Sequence, residues 1–91
     1  MKESTRTVWN YIKEHDGEDF TAKDIAEATG IAVKSVNPII TAAFQRHRDE
    51  DKNIVPLTFR EEAVIETEDG THETVKFIRL TDEGKAFEFA E

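Results

Sequence analysis

The residues whose types could carry chemistry are few, and most are scattered. His15, His47 and His72 are too dispersed to suggest a zinc site. The chain has no cysteine, so it has no disulfide, thiolate metal site or cysteine nucleophile. No serine has a convincing histidine partner and there is no glycine-rich phosphate loop. An enzyme is therefore not expected, and neither is a cofactor. Asp49-Glu50-Asp51 lacks the spaced oxygen ligands and the glycine of a calcium loop, and reads as a solvated turn. What remains is a polar set between residues 34 and 48. Asn37 and Gln45 carry side-chain amides, which both donate and accept, and Lys34 an ammonium, which only donates.

Position in the chain gives that set its weight. The net charge is -8 and the pI is about 4.8, the wrong sign for unspecialised attraction to nucleic acid. Residues 31–48 are the exception: they hold Lys34, Arg46 and Arg48 and no acid. The 91 residues suffice for one domain, read as residues 1–91. With 37% hydrophobic and 35% charged residues, the chain is too apolar for a disordered tail. No apolar run approaches ~18 residues, and the N-terminus leads into no apolar signal core, so neither membrane contact nor export is expected.

The elements that must position the polar set follow from periodicity. Residues 4–15 predict a first helix, with Val8, Tyr11, Ile12 and His15 on one stripe, Trp9 beside it, Ser4 as N-cap and Asp16-Gly17 as terminator. Trp9 and Tyr11 suit a core or a dimer surface better than base stacking. Phe20 is an isolated anchor. Thr21 opens a second helix with Asp24 in the capping-box position, and Gly30 closes it. The third helix is expected over about 33–48. At 100° per residue, Val36, Ile40, Ala43 and His47 form its core stripe, flanked by Val33, Ile39 and Phe44. Lys34, Pro38, Thr41 and Gln45 lie opposite, with Asn37 and Arg48 at the edge. Pro38 predicts either a late start near Ser35 or a bend at Asn37-Pro38.

Beyond the third helix the pattern turns to strands. Ile54-Val55 and Leu57-Thr58-Phe59 are β-prone. Residues 60–67 and 72–80 flank Glu68-Asp69-Gly70-Thr71, a strong hairpin signal. Thr81 caps a last short helix that Gly84 weakens, with Ala86, Phe87 and Phe89 as apolar cover.

The segment Thr21-Ala22-Lys23-Asp24-Ile25-Ala26-Glu27-Ala28-Thr29-Gly30-Ile31, followed by Lys34-Ser35-Val36, resembles the helix-turn-helix of bacterial winged-helix regulators. Leu80-Thr81-Asp82-Glu83-Gly84-Lys85-Ala86-Phe87 is similar to the segment after the wing in MarR-type regulators. The resemblance covers about residues 4–87. It implies an α+β winged helix-turn-helix, with a three-helix bundle, a β-hairpin wing and a short C-terminal helix. It also implies a cytoplasmic bacterial or phage protein that binds double-stranded DNA as a transcription regulator, acting as a homodimer on two half-sites. The third helix would enter the major groove. By the same resemblance Lys34, Ser35, Asn37, Thr41 and Gln45 face the groove, Arg46, His47 and Arg48 lie near the backbone, and Thr71, His72 and Lys76 are the wing contacts.

Arg46 and Arg48 equally suit the dipole at a helix C-terminus. The expected wing also carries Glu66, Glu68, Asp69 and Glu73 where such wings are usually basic. That motivates a second reading: an acidic winged-helix adaptor, or a phage-type inhibitor, that binds a protein partner and not DNA.

Overall fold

The structure, a computed structural model, describes residues 2–88. Among these residues the chain is α+β: four helices and one two-stranded antiparallel sheet. Phe89, expected to add apolar cover, lies outside the described residues. No described helix is long and apolar enough to cross a membrane.

Helix α1 spans Glu3–Glu14 and buries Val8 and Ile12 of the expected stripe with Trp9 beside them, while Tyr11 and His15 are half-buried. Ser4 stands inside its first turn and not at its cap; Lys2 holds that position without a side-chain bond. Helix α2 spans Ala22–Thr29, and its local signals are all realised. The Asp24 N–H donates to Thr21 Oγ1 (3.3 Å), and the Thr21 N–H donates to Asp24 Oδ2 (2.9 Å). Each bond satisfies a donor that a helix start otherwise leaves unpaired. Gly30 closes the helix at φ 77°, a left-handed conformation open to glycine, and donates to Ala26 O.

Helix α3 spans Val33–Ile39 and takes Pro38 into its interior. It starts two residues before Ser35. The chain then runs on as a π-helical segment, Ile40–Gln45, that ends at Arg46 rather than Arg48. Proline has no N–H and its ring crowds the preceding turn, so a regular ladder cannot pass through Pro38. The wider π turn follows, closed by the Arg46 N–H on Thr41 O (3.1 Å). A π turn advances fewer degrees per residue than an α turn. Later side chains therefore arrive rotated from their α-helical positions. Phe44, expected at the flank, is fully buried, with its ring 4.8 Å from that of Trp9. Val33, the other expected flank residue, is 44% exposed.

Strand β1 spans Thr58–Glu66 and β2 spans His72–Leu80, in register from Thr58↔Leu80 to Glu66↔His72. Of the β-prone stretch 54–59, the first part yields only an isolated bridge, Arg48↔Ile54. The sheet docks through its base, where Thr58, Ile78 and Leu80 are buried on one face. On the edge of β2 away from β1, the Ile78 N–H donates to Phe20 O (2.9 Å). The core joins Val8, Trp9, Ile12, Ile25, Val36, Ile40 and Phe44 to Leu57 and Ile78. Fully burying one such side chain stabilises by about 1.5–3 kcal/mol.

Helix α4, Asp82–Ala86, begins as Thr81 predicts: the Gly84 N–H donates to Thr81 Oγ1 (3.0 Å). It lies so close to the chain at Leu57 that only glycine fits at position 84. Lys13 Nζ reaches across from α1 to the carbonyls of Gly84 (3.1 Å), Lys85 (2.7 Å) and Phe87 (3.1 Å). A cation suits the orphan acceptors of a helix C-terminus.

Candidate nucleic-acid interface

The polar residues of α3 and its π extension divide into two stripes. Lys34, Ser35, Pro38, Ala42 and Arg46 are exposed. Asn37, Thr41 and Gln45 are half-buried, and Asn37 and Gln45 turn towards β1. The four-residue step groups Asn37, Thr41 and Gln45, as it does Lys34, Pro38, Ala42 and Arg46. At 100° per residue Thr41 and Gln45 would lie opposite the core; the π turn instead carries Gln45 sideways to Arg60 of β1. Ala42, in the middle of the exposed stripe, was not singled out by sequence.

What receives the second stripe is Arg60 of β1. Its Nη1 donates to Asn37 Oδ1 (2.7 Å) and its Nε to Gln45 Oε1 (2.9 Å). A guanidinium only donates, so both amides must present oxygen to Arg60 and turn nitrogen away. Among the described residues, neither amide nitrogen has a hydrogen-bond partner, and Thr58 Oγ1 is the one buried side-chain polar atom without one. Both amide nitrogens therefore reach solvent. Partial burial pushes the Arg60 pKa down, but an arginine stays charged in any protein environment. Among the described residues no carboxylate pairs with it. Its positive charge is shared with the two amides.

Sequence reasoning missed Arg60 because its partners are 15 and 23 residues away. Strand alternation was the available signal. Arg60 shares a face with Thr58 at the docked base of the sheet, and a long polar side chain there must find polar partners.

The remaining expected contacts are dispersed. Arg46 is exposed just past the π segment. Arg48 Nη1 donates to Lys52 O (2.7 Å), which braces the turn after it. Asp49 Oδ1 accepts from the N–H groups of Asp51 and Asn53 (2.9 Å each) in that same turn. Thr71 belongs to the hairpin tip: its hydroxyl donates to Asp69 Oδ1 (2.8 Å) and meets Thr67 Oγ1 (2.6 Å). Thr67 Oγ1 also donates to Asp69 Oδ1. Hydrogen bonds from Thr67 and then Thr71 hold the Asp69 carboxyl below the usual carboxylate range. Gly70 completes the tip at φ 83°. His72 is exposed opposite Glu66, and Lys76 Nζ lies 3.9 Å from Glu62.

One concavity joins several of these groups. A groove of about 290 Å³ runs between the start of α2, α3 and β2. Lys23, Arg60 and Lys76 line it together with Asn37, and Glu73 is its acid. Lys23 was not among the expected contacts.

The histidines do not converge. His15 pairs with Glu18 (3.0 Å) and stacks on Tyr11, His47 meets Phe87 edge-on at 4.6 Å, and His72 lies out on the hairpin. Comparison with protein-family models, with curated proteins and with solved structures finds no match to this chain.

Proposed function

We propose that this chain is a winged helix-turn-helix protein of MarR type that binds double-stranded DNA and regulates transcription. In this reading α2, Gly30 and α3 form the helix-turn-helix, α3 enters the major groove, and the hairpin is the wing. The bond from Ile78 to Phe20 supports the assignment, because it ties the base of the wing to the chain that leads into the helix-turn-helix. The observation that carries the function is the acid-free face of α3. Lys34, Ser35 and Arg46 are exposed there, beside a groove lined by Lys23, Arg60 and Lys76, in a chain whose net charge is -8. A local basic face in an acidic molecule orients it on phosphate without general stickiness. A single domain offers few phosphate contacts, so we place two copies on paired half-sites.

The test is a fluorescence-anisotropy titration of duplex DNA at low and moderate salt. Binding should weaken as salt rises, and Lys34→Glu should weaken it further. Failure to bind pooled genomic fragments at low salt overturns the reading.

A second reading is supported by the hairpin. Phe59 (46% exposed) and Ile65 (39%) share its outer face with Ala63, Val75 and Phe77, and Glu66, Glu68, Asp69 and Glu73 gather towards the tip. An apolar face rimmed by acids suits a protein partner, as in an adaptor or a phage-type inhibitor. Capture of a partner from lysate that is indifferent to substitution of Lys34 and Asn37 would favour it.

A further inference from the structure

The Arg60 bridge determines which base the α3 face can prefer. Unconstrained asparagine or glutamine grips adenine with both ends of its amide, the oxygen accepting from N6 and the nitrogen donating to N7. Here both oxygens are turned to the guanidinium and both nitrogens reach solvent. The oxygen and nitrogen of each amide face different surroundings, so they cannot both meet the edge of one base. The groups left pointing outward are donors: the Asn37 and Gln45 amide nitrogens and the Lys34 ammonium. Ser35 and Thr41 add hydroxyls that can donate or accept. Guanine offers two acceptors in the major groove, O6 and N7. Adenine offers one, N7, beside an N6 donor that repels a second donor.

We infer that Arg60 is a positioning residue that makes Asn37 and Gln45 donors only, so that this face selects guanine over adenine. The inference rests on the DNA-binding reading and adds the base class to it. The π segment is part of the device, because it brings Gln45 round to the strand. Neither amide alone would hold the guanidinium in place; two acceptors at 2.7 and 2.9 Å on different nitrogens fix its plane.

The experiment is selection of bound duplexes from a pool with a randomised centre, using the full chain at low salt, followed by anisotropy on single-base variants of the selected site. Wild type should enrich guanine at the positions that Asn37→Ala and Gln45→Ala relax, with a preference over adenine of roughly two- to tenfold, the worth of a single hydrogen bond. Arg60→Met should move that preference towards adenine, a change of base that mere weakening of the fold does not produce. Should Arg60→Met fail to fold, Gln45→Glu serves. It keeps an acceptor for Arg60 and removes the outward donor, so the preference at its position should disappear while the other position keeps its guanine. Adenine enriched by wild type at these positions, or guanine retained unchanged in Arg60→Met and Gln45→Glu, overturns the inference while DNA binding stands. Retention of no duplex at all overturns the DNA reading itself and this inference with it.

Discussion

Helix propensity and packing make opposite predictions at Gly84. Alanine in place of glycine inside a helix ordinarily stabilises by about 1 kcal/mol. Yet a Cβ built on Gly84 would lie 1.9 Å from Leu57 O, 2.9 Å from the Leu57 carbonyl carbon and 3.0 Å from Leu80 Cδ2. The obstacle is backbone, and that backbone is held: Leu57 is 1% exposed and its N–H donates to Phe44 O (2.9 Å). So α4 must move away. Two bonds hold its start against that backbone, the Thr81 N–H on Leu57 O (3.0 Å) and Thr81 Oγ1 on Pro56 O (2.7 Å), while Lys13 holds its C-terminal carbonyls. Overpacking costs about 1–3 kcal/mol, and each loosened bond about 1 kcal/mol. Set against the propensity gain, Gly84→Ala should destabilise by about 2–4 kcal/mol. For a domain of this size that lowers the Tm by roughly 8–30 °C. Lys85→Ala in the same helix, on an exposed side chain, should shift it little. The assay is thermal unfolding followed by circular dichroism, with urea titration to check that the m-value is unchanged. A Gly84→Ala protein as stable as wild type, or more so, would refute the argument, because propensity would then have outweighed the close approach.

Thr58 buries a hydroxyl without a partner, so Thr58→Val should raise stability by about 1–3 kcal/mol; a loss in urea titration would mean the hydroxyl is satisfied. Pro38→Ala restores an N–H to α3 and should stabilise it by up to about 3 kcal/mol. It should also straighten the π segment and withdraw Gln45 from Arg60. Side-chain amide resonances of Gln45 that stay unchanged would argue against proline as the cause. Asp69 has its folded pKa held down by Thr67 and Thr71. Its contribution is therefore fully present above the unfolded Asp pKa, about 3.9, and is lost as pH falls through the lower folded value. Carboxyl NMR titration should show Asp69 moving up towards the ordinary range in Thr67→Val, and no movement would exclude the hydroxyl as the cause.

What was legible in the sequence was what depends on near neighbours. Thr21, Asp24 and Gly30 delimit α2 through bonds spanning three or four residues, and the Asp69-Gly70 tip sets the hairpin through bonds of two to four. The core stripe of α1 is legible because burial repeats with the turn of the helix. The fate of α3 was less so. Pro38 announces a disturbance, but whether the chain starts late, bends or widens depends on how Phe44 packs against Trp9. The candidate site suffered most. Lys34, Ser35 and Arg46 are exposed as expected, but Asn37 and Gln45 belong with an arginine on a distant strand. Strand alternation marks Arg60 as a residue in need of polar partners, but no local pattern names which ones. Gly84 carries the same lesson: read alone it weakens a helix, and beside Leu57 it is what allows the helix to dock.

The hairpin is anchored at one end only. From Phe59 out to Phe77 no residue of either strand is buried, and the molecule measures 48 × 25 × 20 Å. The outer part of the hairpin is thus held by its own ladder and by the Thr67–Thr71 turn. Its amide protons should exchange with solvent deuterium through partial opening, while those of α1, α2 and the sheet base wait for the whole domain to unfold. The chain then contains two cooperative zones of unequal lifetime, and the boundary between them falls at Arg60. A ligand that rests on both α3 and the hairpin would join the zones, and slowed exchange along β1 and β2 would register its arrival.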